Sequence, residues 1–289
     1  MSKVFVIGGT GSIGHQVVQG LLKKGVPTTV LARDPSKAAS IFGNSELLNV
    51  VEGDYDNIDN YKNAIAGHER LFFIVASFDK MAKYKHQFAS LAYAAGVKQV
   101  VDVSNAQRSS GYRANAVNWL HLEAEQAVLT IPNRGFYVAL RPSGFFTNQL
   151  RGDVFTIKAE GVIVGSLPGD RKKAWISPSD IALLAINVLT DAIEKNKDAV
   201  YDMTSEMLSD DERAKIFSRV LGKDIKHIRI SAVEEYNNLM RTPGMPHIIA
   251  YNLTGLPAFG DIDYGLPVAL GKEPQSMEEW IILNKDKFL

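Results

Sequence analysis

The sequence predicts an α/β protein built on a doubly wound parallel sheet. Short β-rich runs alternate with helical segments throughout the first half of the chain, residues 3–142. The first run, KVFVIGG at residues 3–9, is continuously apolar rather than alternating, as in strands covered on both faces. A cluster of glycines follows it at once and opens a helical pattern. Strand and helix alternating this regularly imply parallel strands joined by right-handed crossovers.

The elements follow in order. SIGHQVVQGLLKK (12–24) has helical spacing through Ile13, Val17, Val18, Leu21 and Leu22, and Gly25 stands where a C-cap glycine belongs. PTTVLAR (27–33) is a second strand, DPSKAASIF (34–42) a short helix, and LNVVEGDY (48–55) a third strand. LFFIVAS (71–77) is a fourth strand, followed by a helix that closes at Gly96 and by VKQVVDVS (97–104), a fifth. AVNWLHLEAEQAVLT (116–130) is a helix and GFYVALRP (135–142) a sixth strand. The alternation then weakens, and residues 156–177 read as irregular or short antiparallel structure. A helix resumes at 177–191, with Ser177 or Ser179 as its N-cap. The best-marked helix is 208–222, where Ser209 and Glu212 form a capping box and Gly222 ends the pattern.

The four glycines of Gly8-Gly9-Thr10-Gly11-Ser12-Ile13-Gly14 fit both G-x-G-x-x-G and G-x-x-G-x-x-G. A strand, a glycine turn and a helix in that order form the dinucleotide fingerprint, in which N–H groups at the helix start face a pyrophosphate favoured by the helix dipole. Gly8, Thr10, Gly11, Ser12, Ile13 and Gly14 are the expected cradle, and a side chain at Gly11 would block the approach. At the end of the second strand, where an acidic residue would bind the ribose hydroxyls of NAD, the chain offers Arg33, with Lys37 one turn later. A guanidinium there clamps a 2′-phosphate, so NADP(H) is the preferred cofactor; Asp34, beside it, keeps NAD(H) open.

The domain reading is a Rossmann core over 1–150, continued by roughly 176–204, with a smaller substrate-side lobe from 151–175 and 205–289. Composition is that of a soluble globular protein, with 46% hydrophobic and 22% charged residues. Thirty-two basic against 32 acidic residues give no electrostatic pull toward nucleic acid or an anionic membrane. Zero cysteines exclude disulfides and thiolate chemistry. No run approaches a bilayer span and MSK leads straight into a strand, so a cytoplasmic location is expected. The six histidines show no metal-ligand spacing with carboxylates, so no metal is expected.

VIGGTGSIG (6–14), VLARDPSKA (30–38), VEGDYDN (51–57), YAAGVKQVVDVSN (93–105), HLEAEQAVL (121–129), VALRPSGFFTNQL (138–150) and ISPSDIALLA (176–185) together resemble the NmrA-like branch of atypical short-chain dehydrogenases/reductases. The resemblance covers most of the chain, and GKEPQSMEEWIILNKDKF (271–288) is similar to the family's C-terminal helix. It implies the G-x-x-G-x-x-G reading through Gly8, Gly11 and Gly14. It places Asp54 near the adenine, Ala76 and Ser77 beside the cofactor after strand four, and the substrate cleft at Phe78, Phe145, Phe146 and Asn148. Those aromatics could stack on a planar ring or belong to the core; Trp175 is a similar case.

Typical members of that superfamily use a Ser beside a Tyr-x-x-x-Lys pair, whose lysine lowers the tyrosine's pKa. Ser104 stands at the end of strand five, but four residues after Tyr112 comes Ala116, so the acid/base pair is missing. The helix that should carry the lysine has His121, and Glu125 one turn on. By resemblance to NmrA-like quinone reductases, His121 takes the lysine's place near the nicotinamide ribose and positions; it could equally be bonded only locally, while Glu125 suits a salt bridge or cap better than catalysis. Two functions follow. One is NADPH-dependent hydride transfer to a quinone or similar planar electrophile, which needs less acid assistance than a ketone. The other is a redox sensor that binds NADP(H) and acts through a protein partner, as the namesake branch does. An isoflavone-type or ether reductase would require the family's catalytic lysine, which is not found.

Overall fold

The computed structural model describes residues 2–106, 113, 115–256 and 261–289. The first half runs β1 (Val4–Ile7), α1 (Gly14–Lys23), β2 (Thr28–Ala32), α2 (Pro35–Phe42), β3 (Leu48–Glu52), α3 (Asp59–Ala64), β4 (Arg70–Phe73), α4 (Met81–Ala94), β5 (Gln99–Val103), α5 (Ala116–Leu129) and β6 (Phe136–Pro142). Then come β7 (Gly144–Phe145), α6 (Asp153–Glu160), β8 (Val162–Gly165), β9 (Lys173–Ile176), α7 (Pro178–Thr190), α8 (Ile193–Asn196), β10 (Val200–Met203) and β11 (Glu206–Leu208). The rest is α9 (Asp210–Leu221), β12 (Lys226–Arg229), α10 (Ala232–Met240), α11 (His247–Leu253), α12 (Leu266–Leu270) and α13 (Met277–Leu283).

Two compact units result: 1–105, 120–141 and 179–201 form the first; 106–119, 142–178 and 202–289 form the second. The first unit carries the main sheet, ordered β10-β6-β5-β4-β1-β2-β3, with β1 to β6 mutually parallel. β1, β2, β4 and β5 are buried at every position, and their sequences are mostly apolar, with Thr28, Thr29, Arg70, Gln99 and Asp102 as buried polar exceptions. Strand order reverses between β1 and β4, and in doubly wound sheets ligands bind outside the carboxyl ends of the strands at that point. Gly25 takes φ 73° just past α1, and Gly96 φ 94° past α4, the left-handed turn that ends a helix.

The second unit differs from expectation where the sequence read as irregular. Residues 153–160 form α6, closed by Gly161 in the left-handed conformation. β8 then pairs in parallel with β12, a partner more than sixty residues away in sequence, and β9 lies antiparallel to β11. Long-range pairing of this kind leaves no local pattern. The capping box of α9 forms as read, with Ser209 accepting from the Glu212 N–H, and Gly222 closes the helix. The core of this unit gathers Phe146, Trp175, Phe217, Trp280 and Phe288.

Candidate active site

The glycine turn links β1 to α1. Gly8 has φ 83°, and a Cβ on it would stand 2.8 Å from the Ile74 carbonyl oxygen beyond β4. A Cβ on Gly9 would meet Val30 Cγ1 at 2.8 Å, and one on Gly14 would meet the Gly8 carbonyl oxygen at 2.1 Å. These three glycines let turn, helix and neighbouring strands approach. Gly11 is different: a Cβ there would find only the Gly8 oxygen, at 3.3 Å, and the residue is exposed with an ordinary negative φ. Protein packing constrains this glycine far less than the other three. Ser12 is exposed beside it, and no side chain caps α1. Thr10 is half-buried and Ile13 is buried.

At the end of β2, the Asp34 carboxylate is spent on the first turn of α2. Its Oδ1 accepts from the Ser36 N–H at 2.9 Å, the Lys37 N–H at 3.2 Å and the Ser36 hydroxyl at 2.5 Å. These contacts, led by the Ser36 hydroxyl, hold Asp34 below the usual carboxylate range. Arg33 and Lys37 are both exposed, and neither side chain has a hydrogen bond or ion pair with a described residue. Asp54 turns its own loop, its Oδ1 accepting from the N–H groups of Asp56 and Asn57 at 2.9 and 2.7 Å. Past β4, Ala76 and Phe78 are exposed, and Ser77 donates to Asp79 at 2.9 Å.

At the end of β5, Ser104 is buried and donates its hydroxyl proton to Glu125 at 2.5 Å. The Arg141 guanidinium grips the same carboxylate in bidentate fashion, at 3.0 and 2.5 Å. Glu125 is therefore a salt-bridge partner that fixes Ser104. With its proton committed inward, Ser104 is not the outward hydrogen-bond donor that its position suggests. His121, one turn earlier on α5, is half-buried; its Nδ1 is buried without a partner, and the ring's value is lowered to about 3 by burial and then by the Lys85 charge. Tyr112 lies outside the described residues.

The sequence reading missed the polar group beneath this end of the sheet. Lys85, Asp102 and Tyr137 are buried together: Lys85 Nζ donates to Asp102 at 2.8 Å and the Tyr137 hydroxyl donates at 2.5 Å. Burial raises Asp102 despite the opposing pull of Lys85. The signal was a lysine at core-facing spacing between Met81 and Phe88, and an aspartate inside an apolar strand.

In the second unit, Phe145 is half-buried in β7 and Asn148 is exposed. Phe146 is a correction: it is fully buried, its ring 6.1 Å from that of Trp280, so it builds the core of this unit and offers no face to a substrate. Trp175 is also buried, with the Arg213 guanidinium 4.9 Å over its ring. A groove of about 920 Å³ opens at the amino ends of β4 to β6, opposite the glycine turn. Four of its charged residues pair with one another, Lys98 with Glu69 at 2.8 Å and Arg134 with Asp198 at 2.7 Å. Among the described residues no three acidic or histidine groups could hold a metal, and no helix is long and apolar enough to cross a membrane.

The reversal of strand order beside a glycine turn defines a doubly wound α/β protein of the dinucleotide-fingerprint class. Comparison with known proteins narrows the class. Residues 1–281 match the NmrA-like family, and the chain belongs to it. It is 26% identical over 262 residues to the NAD(P)H azoreductase of Xenophilus azovorans, covering 90% of this chain and 88% of that protein. Among solved structures, triphenylmethane reductase of Citrobacter sp. is 24% identical with a TM-score of 0.81, covering 99% of both chains. The NADPH-dependent quinone oxidoreductase of Escherichia coli, complexed with NADPH, is 22% identical with a TM-score of 0.81 over 98% of this chain and 99% of that one. The two solved structures share the fold of this chain.

Proposed function

We propose that this protein is an NADP(H)-dependent oxidoreductase that passes hydride to a quinone or a similarly planar, conjugated electrophile. The observation that carries it is Gly11, a glycine that only the Gly8 carbonyl oxygen approaches, in a chain that belongs to the NmrA-like family and is similar to an NAD(P)H azoreductase. Gly8, Gly11 and Gly14 would hold the pyrophosphate at the uncapped start of α1. Arg33, with Lys37 behind it, would clamp the 2′-phosphate, since neither side chain is engaged by a described residue while the Asp34 carboxylate is committed to α2. Asp54, Ala76 and Ser77 would flank the bound nucleotide, with Phe78, Phe145 and Asn148 on the substrate side. The cofactor supplies the hydride.

The chain's own groups point to an acceptor that needs little acid help. Ser104 gives its proton to Glu125, and His121 is held neutral by burial and Lys85. A ketone would need a proton donor as hydride arrives. A quinone spreads the incoming charge over its ring and takes its protons from water. The azo and triphenylmethane acceptors named for the relatives are likewise extended and conjugated.

The experiment is to mix the protein, NADPH or NADH, and a panel of quinones, azo dyes and simple ketones, following the absorbance of the reduced nicotinamide. Turnover of the conjugated acceptors, faster with NADPH and absent with ketones, is expected. Firm NADPH binding without turnover of any acceptor would overturn the enzyme reading and leave a binding protein.

A further inference from the structure

Two side chains outside the glycine fingerprint tie its turn back to α1. His15 and Gln16 are the second and third residues of that helix. His15 Nδ1 lies 2.9 Å from the Gly11 carbonyl oxygen, and Gln16 Nε2 donates to the Ser12 carbonyl oxygen at 2.8 Å. A carbonyl oxygen only accepts, so Nδ1 of His15 carries the proton. The backbone shows what each bond adds. The His15 N–H also reaches the Gly11 oxygen, at 3.0 Å, so that oxygen is held through both its lone pairs. The Gln16 N–H turns instead to the Ile13 oxygen, at 3.0 Å, and leaves the Ser12 oxygen to the Gln16 side chain. The N–H groups of Ser12 and Ile13 have no acceptor among the described residues.

We propose that His15 and Gln16 are positioning residues for the cofactor, orienting the Gly11–Ser12 and Ser12–Ile13 peptides so that the Ser12 and Ile13 N–H groups face its pyrophosphate. The inference rests on the reading of this turn as a cofactor site. In a planar trans peptide the C=O and the following N–H point to opposite sides. Drawing the Gly11 and Ser12 oxygens back along α1 therefore turns the two N–H groups toward the open start of the helix, where the dipole also favours an anion. Gly11 fixes its own peptide poorly, since glycine turns about its backbone more freely than any other residue. The residue that leaves room for the ligand is thus the one whose peptide most needs holding. Were either peptide to rotate, a carbonyl oxygen would replace an N–H opposite the phosphate and repel it. Both contacts are exposed to water, so they add little to the stability of the fold. Their effect falls on the direction of the donors.

The test starts on the cofactor-free wild type with ¹⁵N-labelled histidine, with His15→Phe to assign the signals. Two-bond ¹H–¹⁵N correlation spectra at pH 8 should show the Nδ1–H tautomer at His15; an Nε2–H tautomer would overturn the assignment. Calorimetry then compares NADPH with adenosine 2′-monophosphate, which lacks the pyrophosphate but keeps the phosphate that Arg33 would read. His15→Phe and Gln16→Met each remove one N–H and keep the bulk of the side chain. Each should weaken NADPH about three- to tenfold, as for one hydrogen bond, and leave adenosine 2′-monophosphate unchanged. His15→Gln and Gln16→His should keep wild-type NADPH binding, because each installs a side chain that already reaches back four residues in this helix.

NADPH bound as tightly by the Phe and Met variants as by the wild type would overturn the proposal. Equal losses for the two ligands would do the same, since they mark a general disturbance of the turn. Losses as large in His15→Gln and Gln16→His would assign the effect to shape and remove the hydrogen bonds from it. A Phe or Met variant that does not fold would show that these bonds serve the fold instead. A wild type with the Nδ1–H tautomer that binds no NADPH would sink the cofactor reading, with the geometry of the turn intact.

Discussion

Gly11→Ala and Gly14→Ala, three residues apart on one turn, separate space kept for a ligand from space kept for the protein. At Gly14 the new Cβ would lie 2.1 Å from the Gly8 carbonyl oxygen, 2.8 Å from the Gly8 carbonyl carbon and 2.9 Å from Gly9 Cα. Ordinary carbon contacts are about 3.5–4 Å, so backbone must move by an ångström or more where β1 feeds α1. Overpacking costs about 1–3 kcal/mol when side chains can yield; here only backbone can, and about 3 kcal/mol or more is expected. At Gly11 the nearest atom is 3.3 Å away, a fit that needs a shift of a few tenths of an ångström. Alanine also trims the freedom of the unfolded chain by about 0.4–1 kcal/mol where the backbone allows it. Gly11→Ala should therefore stay within about 1 kcal/mol of the wild type. Its methyl group would nonetheless displace the pyrophosphate from the N–H groups of the turn. Each hydrogen bond to a charged group contributes about 1.5–3 kcal/mol, so losing one lowers NADPH affinity about 10- to 100-fold. Urea denaturation and calorimetric titration with NADPH measure the two effects. A folded Gly11→Ala protein that binds NADPH as tightly as the wild type would refute the placement of the phosphate. A Gly14→Ala protein as stable as the wild type would refute the packing argument.

Arg33→Ala should weaken NADPH about 10- to 100-fold and leave NADH unchanged, since only the 2′-phosphate meets the guanidinium; equal losses for both cofactors in calorimetry would show that Arg33 does not read the phosphate. Lys85→Met leaves Asp102 buried without its cation and should cost about 3–5 kcal/mol at pH 8 in urea denaturation. The folded value of Asp102, already raised by burial, rises further in that variant, so the folded state holds the proton more tightly than the unfolded chain. The deficit should accordingly shrink on going from pH 8 to pH 5, and a loss equal at both would show that Asp102 does not take up the proton. Phe146→Ala, at a fully buried core position, should cost about 3–5 kcal/mol, and Phe145→Ala, half-buried, clearly less; equal denaturation midpoints for the two variants would contradict the assignment of Phe146 to the core.

The sequence alone determined the first unit. Most of its strands are buried on both faces and so are largely apolar; its helices need caps and glycine stops; and the turn after β1 needs glycines where backbone meets backbone. All of these are local demands, written locally in residues 4–142. The same holds for the capping box at Ser209 and Glu212. Only the tertiary structure decided what depends on partners far apart in the chain. The pairing of β8 with β12 left no pattern near Val162, and the aromatic run Phe145-Phe146 could not say which ring turns into the core. Asp34 and Arg33 sit side by side in sequence, and hydrogen bonds within α2 show which of them is occupied. Ser104 stands where the family's serine belongs, and only the fold shows its hydroxyl donating to Glu125 of α5, a carboxylate held in place by Arg141 of β6. His121 reads as a positioning residue or as one bonded only locally, and only the fold shows its Nδ1 buried without a partner and charging made costly by burial. Periodicity and turn chemistry act over a few residues and are legible there, whereas the direction of a proton and the charge of a buried ring are set by whatever the fold brings within a few ångströms.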